Sequence, residues 1–508
     1  MNPANQKIGN LIAQIRQERG LTQAEFARKL NTSQSAVNRM EHGRQNLSLE
    51  TLGRISDVLN KQLITLGATG ATNLRIEGGH ELKGRIALKT SKNAAVGLLC
   101  ASLLNHGVTR FKSFPRIEEV YRIIEVLESM GVSVKWLPGN DIEIRRPAKL
   151  KLDRLNAQAA RKTRSVLMMI GSIMHDEKEF KIPYAGGCKL GTRTVAPHLY
   201  ALENFGVNIL AKTGHYNVTV KKKPAGWFTL YESGNTVTEN ALFAAARTPE
   251  TTVIQAASGD YMIQDVCYYL TKLGVKIDGI GTQFLTIKGV NGPIKKNVTF
   301  EPTEDPIEAM FFITAAVVTD SEITIERVPY IWIGLELLKL EHMGLQYSLS
   351  KPYKAANGMV DLADLTIKKH NGELKAPIEK IHPNLYPGLN PDNVPYFVPI
   401  VAVAHGRTLI HDWMYENRAI YYTELTKIGA QVELADPHRV YVTGPTRFTV
   451  SDVVCPPALR PASLLLLGML AANGTSMLRN IYTIQRGYED LAERLNSLGA
   501  QITVLHEL

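Results

Sequence analysis

Cysteine is scarce in this chain of 508 residues: there are four, Cys100, Cys188, Cys267 and Cys455, far apart and without a CxxC pair. With no clustered histidine beside them, they suggest neither a disulfide framework nor a zinc site, and a cysteine with a role would act through its own thiol chemistry. Long apolar runs are also missing. The longest, ASLLLLGMLAA between Pro461 and Asn473, is too short to span a bilayer, and the opening MNPANQKIGN lacks the apolar stretch of a secretory signal. A cytoplasmic protein with no membrane partner is expected. Nor is the composition biased: 44% hydrophobic and 21% charged residues, with 39 Gly and 24 Pro, exclude disordered and fibrous classes.

What is present is length and basic charge. At roughly 100 to 200 residues per domain the chain has room for two to four domains. Its 58 Lys and Arg against 48 Asp and Glu leave a net charge of +10, which suits anionic partners such as phosphates or nucleic acid without choosing between them.

Residues 8 to 66 read as five short amphipathic helices without strand signals. Thr22, Ser33 and Ser48 each stand just before a helical run, where a hydroxyl caps free backbone N–H groups. The second and third helices meet at a tight turn around Asn31 and Thr32. Together with GLTQAEFA and SQSAVNRMEHG, this spacing resembles the phage-repressor (XRE/Cro-type) helix-turn-helix family. The resemblance implies that residues 1–70 bind DNA as a dimer, with Gln34, Ser35, Asn38 and Arg39 reading base edges and Gln23 clamping the backbone. Nine basic against five acidic side chains give this segment a charge of +4, suited to phosphate contacts. A helical bundle kept only for dimerisation or docking is the alternative.

From Ala71 onward short alternating strands and longer helices take over, and one phrase recurs six times: a helix ending at a glycine, followed by a strand. The glycines are Gly131, Gly206, Gly274, Gly344, Gly429 and Gly499, at intervals of 75, 68, 70, 85 and 70 residues. Each stands where a left-handed helix cap is needed. A period near 70 is too long for a solenoid and predicts α/β modules, three in each half of a duplicated body.

Six such units, with the motifs that follow, resemble the enolpyruvyl transferase family, whose fold is two inside-out α/β globes of βαβαββ units around a cleft. The resemblance covers about residues 71–508. It implies one globe from 92–301 and another from 71–91 with 302–508, closing about two crossing strands.

The family's motifs appear in order. LKTSKNAAVG places Lys92 and Asn93 at a helix start, a seat for phosphate or carboxylate. ARKTRSV carries Arg164. IPYAGGCKLGTRTVAPH resembles the mobile loop of UDP-N-acetylglucosamine enolpyruvyl transferases, with Cys188 between glycines and a lysine, where a thiol pKa is lowered, and with Arg193. NLYPGLNPDN holds Asp392, MYENRAIYY Arg418, PALRPAS Arg460 and IQRGYED Arg486. The resemblance implies that a sugar hydroxyl adds to phosphoenolpyruvate and that phosphate then leaves, with no metal or cofactor. Lys92, Cys188 and Asp392 would be catalytic, Asp392 as the base. Asn93, Arg164, Arg193, Arg418, Arg460 and Arg486 would bind substrate, the arginines gripping an anion of roughly three negative charges. The best-matched acceptor is UDP-N-acetylglucosamine, as in peptidoglycan synthesis.

Three departures fall on the acceptor side or its control. RTVAPH brings Thr194, Ala196 and Pro197 to positions that lie against uridine in the family, Gly234, Asn235 and Thr236 replace a Ser-Val-Gly, and Ala458 stands where the family has a second active-site aspartate. They leave open a specialised transferase with another UDP-sugar or nucleotide acceptor, and a transcription regulator whose transferase body senses a ligand.

Overall fold

The computed structural model describes residues 3–45, 47, 49–59, 72–161, 163–184 and 194–506. At the N-terminus are four helices, α1 (Pro3–Glu18), α2 (Gln23–Leu30), α3 (Gln34–Glu41) and α4 (Leu49–Leu59). The expected fifth helix and the Ser48 cap lie outside the described residues. Thr22 closes a capping box with Glu25, and Ser33 Oγ accepts from the Ala36 N–H at 3.2 Å, so both hydroxyls stop the chain where the sequence places them. Phe26, Val37, Met40, Ile12 and Ile55 make a small core of their own.

Among the described residues the remainder forms six small sheets packed with helices. Three are built within residues 108–300: Val298–Phe300, Val108–Phe111, Ile142–Arg145 and Ser133–Trp136 form one, Glu179–Pro183, His215–Val220 and Val207–Lys212 the next, and Lys276–Asp278, Phe284–Lys288, Thr251–Gln255 and Trp227–Thr229 the third. Of the other three, two take strands from both ends of the body and one lies within residues 406–444. Strand β1 (Thr72–Gly78) lies between Gly474–Arg479 and Gln501–His506, and β2 (Lys83–Ala87) runs parallel to Glu322–Val328. The last sheet is Gly406–His411, Arg439–Gly444 and Gln431–Asp436.

All six repeat glycines have positive φ, between 81° and 100°, a region a side chain with Cβ enters only at a cost. The helices inside each globe are buried almost throughout: every residue of Pro306–Val318 is, as are Ala94 to Ser102 in α5 (Lys92–Ser102). Such all-round burial is why they read as apolar runs rather than amphipathic stripes.

Residues 89–91 and 303–305 run side by side about the antiparallel bridge of Thr90 and Glu304. The Ser91 N–H donates to the Thr303 carbonyl at 2.9 Å, and the Asp305 N–H to the Lys89 carbonyl at 2.9 Å. This paired ribbon ends at Ser91, and α5 starts on the next residue.

A candidate active site in the cleft

Ser91 caps α5, its Oγ accepting from the Ala94 N–H at 3.2 Å, which puts Lys92 and Asn93 in the first helical turn at the positive end of the helix dipole. Lys92 Nζ lies 3.2 Å from Glu119 Oε2, in the first turn of α6 (Glu118–Ser129), and its backbone N–H donates to Asp305 Oδ2 at 3.4 Å. Asn93 Nδ2 donates to the Tyr261 hydroxyl at 3.0 Å. The Lys92 charge holds the Glu119 carboxyl below its usual range, against the opposing effect of burial.

Next to this pair is a cavity of about 200 Å³ lined by Glu118, Glu119, Arg122, Arg161, Thr163, Tyr482 and Arg486. It joins the two globes, because Tyr482 and Arg486 come from the short turn after Gly474–Arg479. Arg486 therefore shares this cavity with Glu119, the partner of Lys92. Arg164 opens the turn Arg164–Met168, one residue beyond Thr163, and its side chain is outside the described set. Cys188 and Arg193 also lie outside the described residues.

On the second globe Asp392 is held by two arginines. Arg460 Nη2 donates to its Oδ2 at 3.2 Å and Arg418 Nη1 to its Oδ1 at 3.5 Å. Burial pushes the Asp392 carboxyl up, and the charges of Arg460, Arg418 and Lys92 more than offset this, leaving it below the ordinary aspartate value. Arg460 also donates to the hydroxyls of Tyr488 at 3.0 Å and Tyr396 at 3.4 Å, so its guanidinium is oriented from two sides.

Arg418 does not reach the cleft. It is 1% exposed, and its Nε and Nη2 fork onto Asp412, which also accepts from Tyr422, while Nη2 donates to the Pro391 carbonyl at 2.6 Å. The expected substrate-binding arginine is thus a buried clamp that fixes the Asp392 loop.

The departures also have structural consequences. Ala458 is the N-cap of Leu459–Ala471 and gives it no side-chain cap, so the helix that presents Arg460 starts without a carboxylate. Asn235 and Thr236 open the helix Asn235–Ala245: Thr236 Oγ1 lies 3.3 Å from His198 Nε2, and Asn235 Nδ2 donates to Asp260 Oδ2 at 3.0 Å. Ala196 and Pro197 start the helix Ala196–Glu203, where Pro197 is buried.

Sequence reasoning missed Glu119, Asp260, Asp412 and the two tyrosines. Tyr488 alone had a signal, being two residues from Arg486 in QRGYED.

At the N-terminal domain, Gln34, Ser35, Asn38 and Arg39 are exposed together on α3 while Ala36, Val37 and Met40 face the core. Gln23 is turned inward: its Nε2 donates to Glu41 Oε2 at 2.8 Å, beside the buried Arg16–Glu41 pair, so it is not free to clamp a DNA backbone as expected. The domain rests on α6, with Arg19 paired to Glu125 and 3.7 Å from Glu118, and Lys29 Nζ 2.9 Å from Glu128. Among the described residues no helix is long and apolar enough to cross a membrane.

Comparison with known proteins agrees with both parts. The family described as EPSP synthase (3-phosphoshikimate 1-carboxyvinyltransferase) matches residues 76–495, and the helix-turn-helix family matches residues 12–66. A UDP-N-acetylglucosamine 1-carboxyvinyltransferase from a Nitratiruptor species is 30% identical over 435 residues, covering 85% of this chain and 99% of that protein. One of Campylobacter jejuni subsp. jejuni serotype O:6 is 31% identical over 442 residues, covering 86% and 100%. Among solved structures, the enolpyruvyl transferase NikO from Streptomyces tendae superposes with a TM-score of 0.73 at 22% identity, covering 86% of this chain and 100% of that one. EPSP synthase from Acinetobacter baumannii gives 0.64 at 18% identity, with 85% and 100% covered.

Proposed function

Since the chain belongs to the EPSP synthase family of enolpyruvyl (1-carboxyvinyl) transferases and carries an N-terminal helix-turn-helix domain, we propose that it moves the enolpyruvyl group of phosphoenolpyruvate to a hydroxyl of a UDP-sugar, UDP-N-acetylglucosamine first, and releases phosphate. The observation that carries this reading is the convergence of Lys92, Arg486 and the Asp392–Arg460 pair on one cleft between two globes. The division follows the paired ribbon, with 92–301 as one globe and 71–91 with 302–508 as the other.

In this reading Lys92, Arg164, Arg193, Arg460 and Arg486 grip the phosphate and carboxylate of phosphoenolpyruvate. Asp392 faces the acceptor hydroxyl and takes part in removing its proton, and Cys188 on the loop acts at the donor's methylene carbon or gates product release. Arg418 acts through Asp392 and not on substrate. The exposed face of α3 suits DNA, with a second copy of the chain filling the other half-site.

Ala458 and Asn235 favour a second reading, in which a different nucleotide or sugar is the acceptor in a secondary pathway. Phosphate release with phosphoenolpyruvate and a panel of UDP-sugars and nucleotides tests both. Release with UDP-N-acetylglucosamine supports the first, and release with another acceptor alone supports the second. No release with any acceptor leaves the regulator reading, in which the transferase body only senses a ligand.

A further inference from the structure

The cleft contains a carboxyl that no part of the family pattern called for. Asp260 is the N-cap of the helix Tyr261–Leu273 on the first globe and is 8% exposed. Its Oδ1 accepts from the Tyr261 N–H at 2.8 Å, and its Oδ2 accepts from Asn235 at 3.0 Å. From across the cleft Asn390 Nδ2 reaches Oδ1 at 3.4 Å, and the same amide's Oδ1 accepts from the Asp392 N–H at 2.9 Å. One side chain therefore bridges Asp260 on the first globe to the Asp392 loop on the second.

Two features make this bridge chemically relevant. Asp392 is tied to Arg460 and Arg418 and held acidic, which suits charge stabilisation better than holding a proton at neutral pH. And Ala458 leaves the second globe without the further carboxylate its relatives' pattern places there.

We propose that Asp260 is a second acid–base residue of the transfer, working across the cleft from Asp392 and holding the acceptor's proton. The inference rests on the transferase reading above. In the addition half, the acceptor oxygen bonds to the central carbon of phosphoenolpyruvate, its proton passes to Asp260, and the methylene carbon gains a proton from the donor-side acid. In the elimination half that carbon returns a proton to the same donor-side group, the C–O bond to phosphate breaks, and phosphate leaves. Asp260 then releases its proton to solvent.

The surroundings suit this role. Burial and the Asp392 charge raise Asp260 to about 6 against the Asn235, Tyr261 N–H and Asn390 bonds. The other titratable groups that face it are Glu239 one turn below Asn235, Tyr261 and Glu336. Burial raises the Glu239 carboxyl well above its ordinary value, with its Oε1 unpartnered, and raises Glu336 to about 7.

The test is the pH profile of phosphate release for the wild-type chain, Asp260→Asn and Asn235→Ala. Wild type should lose kcat/KM as pH falls through about 6. Asp260→Asn should lower kcat by about 10²-fold and abolish that limb. Asn235→Ala removes a bond that favours the ionised form, so the limb should move to higher pH. This variant decides the matter if Asp260→Asn melts early. An active wild type with an unchanged limb in the folded variants overturns the proposal and leaves the transferase reading intact. A wild type silent with every acceptor overturns both.

Discussion

Lys92 and Glu119 face each other from the first turns of α5 and α6, Nζ to Oε2 at 3.2 Å, so the lysine expected to meet substrate already has an anionic partner. An incoming phosphate must take its place. Both side chains are mostly buried, at 17% and 25% exposure, which makes the competition more than a surface effect. Glu119→Gln should lower the KM for phosphoenolpyruvate about threefold to fivefold, the equivalent of about 1 kcal/mol, with a steeper dependence on salt. Steady-state kinetics at two ionic strengths check this, and a raised KM would show that Glu119 holds Lys92 in its working position instead.

Asp392→Asn should cut phosphate release by about 10²-fold or more, because the group proposed to face the acceptor hydroxyl loses its charge. The loss should appear in kcat. Arg418→Lys should reproduce part of it, since a lysine cannot fork onto Asp412 while reaching Pro391 and Asp392.

The thiols should divide sharply. Cys100 and Cys267 are fully buried and Cys455 nearly so, and burial raises all three well above an ordinary thiol. Iodoacetamide on the native protein should therefore modify Cys188 first, and phosphoenolpyruvate with acceptor should slow it. Peptide mass spectrometry reads the outcome directly.

How much of this was legible depends on whether a residue's role is local. The six glycines end helices through their own φ, and Thr22 and Ser33 cap through a neighbour three residues on, so sequence spacing suffices. For Lys92, Asp392 and Arg460, motif text fixes which helix or loop presents them. Arg418 was misplaced for the opposite reason. Its motif marks it as important, but only the fold places Asp412 and Pro391 around it and turns a substrate arginine into a support. Asp260 and the seat of Arg19 on Glu125 have no local sign at all, since their partners come from distant parts of the chain.

On α3, Asn38→Ala with Arg39→Ala should weaken specific duplex binding by about 1 to 3 kcal/mol per lost base contact. Nonspecific, salt-sensitive binding should persist through the remaining basic residues. Selection from random duplexes followed by a mobility-shift titration of the double variant checks both. A selected sequence bound equally well by the variant would make this face a docking surface.

Stability should fall as pH rises from about 4 to about 7. Asp265 and Glu336 are buried carboxyls raised to about 7 by desolvation, so the folded chain keeps protons that the unfolded chain releases near pH 4. Each contributes a slope of up to about 1.4 kcal/mol per pH unit across that window. Asp392 and Glu119, held low, act oppositely and lose their contribution only as pH falls below about 4. Urea unfolding at pH 5 and pH 7 should show the lower midpoint at pH 7.

The position of β1 has a consequence for how the protein is made. Leu74 pairs with both Leu478 and Val504, so a strand that leaves the ribosome early must wait for partners from the far end of the chain. During synthesis the helix-turn-helix domain and the sheets of residues 108–300 can mature while the second globe stays open, with β1 an unpaired edge. A message cut short before residue 501 would then yield a chain with a finished helix-turn-helix domain and an unfinished transferase body. Truncation therefore separates the two halves of this protein more readily than any point substitution could.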